Sequence, residues 1–111
     1  MSSIQAVCVG VITIDTIALV DKYPSADERV SAQEIARAGG GPAAVAAVTL
    51  SRLGIKSAIV GTIGDDADGK EVLRIFEKEG VDTSGISIGK SATSGSVIVA
   101  SKEHSARAIS T

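Results

Sequence analysis

Residues 38–54 read AGGGPAAVAAVTLSRLG, and the fold turns on how this stretch is parsed. Gly39, Gly40 and Gly41 permit positive φ and carry no side chain, so something else can approach the backbone closely. Pro42 presets a helical φ at the first helical position, where its missing N–H costs nothing. The stretch predicts a helix from Pro42 to about Leu53, stopped by Gly54, with Ala46, Ala47, Leu50 and Leu53 as a narrow apolar face. Its first turn, Ala43, Ala44 and Val45, leaves the terminal N–H groups uncovered by bulky or capping side chains, which suits a sugar hydroxyl or a phosphate. A tight strand-to-helix turn would use the same glycines, and this stretch alone leaves both readings open.

On the N-terminal side, IQAVCV at 4–9 reads as a strand buried on both faces, ending at Gly10. Thr13 and Asp15 follow it in VITID, and an acid just past the C-terminal end of such a strand stands where open α/β sheets bind ligands. As a strand-end cap or turn residue, Asp15 would need no ligand. KYPSADE at 22–28 reads as a turn, and RVSAQEIAR at 29–37 as an exposed strand pairing with residues 16–21.

On the C-terminal side, SAIVGTI at 57–63 completes a strand–helix–strand unit. GDDADG at 64–69 reads as a turn, and KEVLRIFEKE at 70–79 as an amphipathic helix ended by Gly80, with Val72, Leu73, Ile75 and Phe76 facing the core. After the VDTSG turn, residues 85–88 form a short strand. GSVIVA at 95–100 and ARAIS at 106–110 flank the polar tip SKEHS as a hairpin. Strands alternating with helices predict a parallel α/β sheet.

Composition narrows the function classes. The 111 residues hold 44% hydrophobic and 22% charged side chains, values of a globular chain of at most one domain. Tyr23 and Phe76 are the sole aromatics, so the core is built from Val, Ile, Leu and Ala. A net charge of −2 without a basic cluster argues against nucleic acid and anionic membrane partners. The absence of a basic leader and of a long apolar run predicts a cytoplasmic protein. Cys8 is the single cysteine, expected buried and inert.

Several catalytic and binding motifs fail on inspection. Residues 64–71, GDDADGKE, come near a Walker A loop, but Glu71 stands where a hydroxyl is needed and three aspartates would repel phosphate. An EF-hand loop fails because Glu71 holds its glycine position. The Rossmann fingerprint fails because the first strand leads into VITID. No catalytic triad, Cys–His pair, carboxylate pair or metal set can be assembled. Asp66 or Asp68 complements the dipole of the helix that follows. His104 falls at a hairpin tip as a solvated turn residue.

The order GVITID, AGGGPAAVAA, SRLG, VGTIGDDADG, EGVDTSGI and TSGSVIV resembles the ribokinase (PfkB) family of carbohydrate kinases across nearly the whole chain. The resemblance implies an α/β, ribokinase-like three-layer sheet with parallel core strands and a projecting β lid, truncated. Residues 1–111 would be its N-terminal substrate-side portion, with lid hairpins around 16–37 and 94–110. It implies transfer of the γ-phosphate of ATP to a hydroxyl of a sugar or small alcohol. Asp15 then matches the acid that holds sugar hydroxyls, Thr13 a neighbouring contact, and Gly40 and Gly41 the segment against which the sugar packs. Val97 would be an apolar wall. Arg107 would reach an anionic substrate group or stand as a surface lid residue.

The family usually has Asn where this chain has Ala44, which cannot hydrogen-bond through its side chain. The family's GAGD segment, which carries the catalytic base, is absent, so no catalytic residue is expected here. ATP and Mg2+ are implied, with their binding residues outside this sequence. A homodimer through the β lid is expected because its edges need cover. The alternative is a non-catalytic α/β ligand-binding or dimerisation module.

Overall fold

The computed structural model describes residues 3–111. The elements run β1 (Ala6–Val9), β2 (Thr13–Val20), β3 (Glu34–Gly40), α1 (Pro42–Arg52), β4 (Ser57–Gly64), α2 (Ala67–Glu79), β5 (Asp82–Gly89), β6 (Gly95–Ser101) and β7 (Ala106–Ser110). They divide between two compact units. One takes the residues up to Ile14 together with Gly39–Ser94; the other takes Asp15–Ala38 and Gly95–Thr111.

The first unit is a three-stranded parallel sheet in the order β1-β4-β5, with α1 and α2 sharing one core against it. That core joins Ile12, Ile14, Ala44, Ala47, Ile59, Ile63, Val72, Phe76 and Val81. Ile59 is wholly buried, and removing such a side chain from water contributes about 1.5–3 kcal/mol. The first strand departs from its expected burial on both faces. Register pairs Cys8 with Ile59 on the helix side and Val7 with Ala58 on the other, and Val7 and Val9 are 58% and 71% exposed. Among the described residues, helices cover one face of this unit and β1 lies at its edge, so Cys8 too is half-buried.

The face of α1 is rotated from its expected position. Ala44 and Ala47 are buried, with Ala43 and Val48 packed beside them, while Ala46 and Leu53 are exposed. A helix with alanine on most sides carries little information about which side faces in. Ser57 Oγ donates to Ala47 O at 2.7 Å, tying α1 to β4.

Helix α2 begins at Ala67, three residues earlier than expected, because Asp66 caps it by accepting from Gly69 N at 2.8 Å. Gly80 closes it in the left-handed conformation, φ 75 and ψ 21. Arg52 donates twice to the Glu79 carboxylate, at 2.9 and 2.5 Å, joining the ends of the two helices. Strand β5 starts at Asp82, inside the expected VDTSG turn. Asp82 accepts from Ser84 N and Oγ, and the register shift between the Ala58 and Val60 pairs absorbs that turn as a bulge.

The second unit is built on a four-stranded sheet, order β3-β2-β6-β7, so the two expected hairpins form one sheet. β6 and β7 pair antiparallel with Val97 opposite Ser110 and Ala100 opposite Arg107. β3 lies beside β2 as expected, but spans 34–40 where 29–37 was expected, and Gly39 and Gly40 end this strand. Val20, Ser96 and Ser101 are its buried positions. His104 is stacked on Tyr23, ring centroids 5.8 Å apart and 12° from parallel.

Candidate substrate site

Of the three glycines, Gly41 alone takes positive φ, at 97 with ψ 139, as N-cap of α1. A side chain at Gly41 would sit inside van der Waals contact with Val11 O, 3.1 Å from the Val11 carbonyl carbon and 3.6 Å from Ile12 Cα. The bend is thus seated on the 11–12 backbone, directly before Thr13. Pro42 occupies the first helical turn, no side chain caps the helix, and Gly41 O accepts from Val45 N at 2.9 Å. Gly40 is buried and Gly41 half-buried. Ala44 is 4% exposed and belongs to the hydrophobic core.

Thr13 and Asp15 are half-buried on β2. Ile14 between them donates its N–H to Ser94 O at 3.0 Å. Where β1 ends, beside residues 60–62 within β4, the first unit has an open concavity of about 420 Å³, lined by Val9, Gly10, Val11, Val60, Thr62 and Ser94 among others.

The remaining sequence candidates lie on the second sheet, and its register separates them. Val97 and Arg107 are both exposed, but Arg107 pairs with Ala100, an odd number of residues from Val97. Alternation puts the two on opposite faces. A small ligand on one face meets one of them.

One constellation had no local sequence signal, because its members are 27 residues apart. The Asp66 carboxylate accepts from Thr93 Oγ1 at 2.6 Å, Thr93 N at 2.9 Å and Gly69 N at 2.8 Å. These bonds, those from Thr93 foremost, hold the Asp66 carboxyl below the usual aspartate range. Thr93 is 8% exposed, and its Oγ1 also accepts from Gly64 N at 2.9 Å. Among the described residues no group of three or more His, Cys, Asp or Glu is placed to hold a metal ion.

Residues 3–111 match the pfkB family carbohydrate kinase model. The chain belongs to this family. Among curated pfkB-type relatives, the ATP-dependent ribose-1-phosphate kinase of Halopiger xanaduensis is 33% identical over 77% of this chain and 29% of its own length. The ribokinase of Haemophilus influenzae is 36% identical over 69% of this chain and 25% of its own. The ribokinase structure from Thermotoga maritima superimposes with a TM-score of 0.81 at 27% identity, covering 97% of this chain and 36% of that one. The ribokinase-like α/β fold follows. The chain spans between a quarter and about a third of the length of these pfkB relatives.

Proposed function

We propose that this chain is the substrate-side portion of an ATP-dependent kinase acting on a hydroxyl of a sugar or small alcohol, without turnover of its own. The observation that carries the reading is the family match across residues 3–111. The seating of Gly41 on the Val11 carbonyl supports it, because it sets a bare helix start against the strand that leads into Thr13 and Asp15. Asp15 accepts hydrogen bonds from sugar hydroxyls, Thr13 contributes a neighbouring contact, and Gly40 and Gly41 offer a side-chain-free floor. Val97 supplies an apolar wall. Arg107, on the other face of the second sheet, keeps the surface role unless the substrate carries an anion there.

Phosphoryl transfer is catalysed chiefly by positioning and electrostatic stabilisation, and this chain supplies positioning. ATP and Mg2+ are assigned to the length of chain that the relatives carry and this match does not cover. A general base must reach the attacking hydroxyl, and Asp15 is assigned to holding the substrate, not to deprotonating it. The protein works in the cytoplasm, as a homodimer through the second sheet, whose outer strands need cover. No described helix is long and apolar enough to cross a membrane.

Titration of the isotope-labelled chain with ribose, fructose and a nucleoside, followed by amide shifts, tests substrate binding, and release of ADP from ATP with each sugar tests turnover. Shifts at Gly40, Gly41 and Asp15, weakened about tenfold or more in Asp15→Asn, are expected without ADP release. Sugar-dependent ADP release overturns the inactivity. No response to any of the three compounds overturns the substrate-side assignment and leaves a dimerisation module.

A further inference from the structure

A helix N-cap needs one carboxylate oxygen, and at Asp66 the bond from Gly69 N satisfies that need. The bonds from Thr93 N and Oγ1 are not explained by capping. They fasten the start of α2 to the point where the chain leaves the first unit, since Ser94 is its last residue before Gly95. Ser94 O in turn accepts from Ile14 N, and Ile14 is the last residue of that unit before Asp15. Two chain crossings are therefore hydrogen-bonded to each other, and one of them is clamped by a buried threonine and a carboxylate.

We propose that Asp66 and Thr93 form a latch that holds the 91–94 crossing and, through the Ser94–Ile14 bond, sets the strand from which Asp15 follows. Asp66 is a positioning residue in this arrangement. The carboxylate cannot donate, so it accepts from both Thr93 groups at once, and the Thr93 hydroxyl passes the constraint to Gly64 N. The consequence for substrate rests on the functional reading given above; the latch itself does not.

Asp66→Asn separates the two roles. Asparagine caps a helix as well as aspartate does, but its NH2 group would face the Thr93 N–H, donor against donor. In the full chain, amide exchange at Ile14 and Thr93 is expected to quicken at least about tenfold, with Gly69 and Ile59 unchanged. Thr93→Val should give the same pattern and Thr93→Ser should restore wild-type rates. Unchanged Ile14 protection in both Asp66→Asn and Thr93→Val overturns the latch, as does a uniform rise that includes Ile59. Where the wild type responds to ribose, the two disruptive variants should weaken that response several-fold and Thr93→Ser should not. An unaltered affinity alongside faster Ile14 exchange overturns the positioning role. A wild type that ignores ribose refutes the sugar reading alone, and the exchange rates still decide the latch.

Discussion

Replacing Gly41 by alanine tests whether the glycine bend is a true close approach. Its φ of 97 with ψ 139 lies outside the basins of residues with a Cβ, a strain of about 1–3 kcal/mol. The new methyl would also stand 3.1 Å from the Val11 carbonyl carbon and closer still to its oxygen, against a comfortable carbon separation of roughly 3.5–4.0 Å. Relief requires displacement of the 11–12 backbone, an overpacking cost of about 1–3 kcal/mol. The loss of unfolded-chain entropy returns about 0.4–1 kcal/mol. The net expectation is about 2–5 kcal/mol, a large share of the 5–15 kcal/mol typical of a domain. Gly54→Ala is the control: φ is also positive, at 87, but nothing lies within 4 Å of the added methyl. It keeps a positive φ and the entropy return without the collision. Urea unfolding followed by far-ultraviolet circular dichroism should show a lower midpoint for Gly41→Ala at unchanged slope. A Gly41→Ala stability within about 0.5 kcal/mol of Gly54→Ala would refute the collision with Val11.

Further expectations use the same assay. Ile59→Ala, at a wholly buried position, should cost about 2–5 kcal/mol, whereas Val9→Ala, at 71% exposure, should stay within about 0.5 kcal/mol. A Val9 effect as large as that of Ile59 would mean the outer face of β1 is covered. The Asp66 carboxyl is held below its usual value of 3.8 by Thr93 and Gly69. Its contribution is therefore complete above that value and lost as pH falls through the depressed one, and Asp66→Asn should flatten this acid limb. A double-mutant cycle on Tyr23→Leu and His104→Leu should give a coupling of about 0.5–1.5 kcal/mol from ring stacking, and a value near zero would remove that contact.

Legibility in the sequence followed the range of the interactions. Pro42 and Gly54 bracketed α1 within two residues, and Gly80 marked the end of α2, because caps and breakers act locally. The start of α2 was misplaced because Asp66 works as a cap inside a run that spells a turn, and β5 because the Asp82–Ser84 turn is absorbed in a bulge. The side of α1 that faces inward was hidden by its alanines, and the exposure of Val7 and Val9 by the fact that an apolar run does not say how many faces are covered. For the candidate site, Gly41 was legible as a glycine requirement. The Asp66–Thr93 bonds were not, since nothing near either residue points to the other.

Neither unit is a single length of chain, and this bears on how the polypeptide is made. The first unit has all its residues once position 94 has emerged, so it can close during synthesis. The second is assembled from 15–38 and 95–111, and its earlier half must wait, unpaired with β6, until the intervening segment is complete. Such distant pairings are slow to form. β2 and β3 thus emerge before the strands that complete their sheet and wait for them with an open edge.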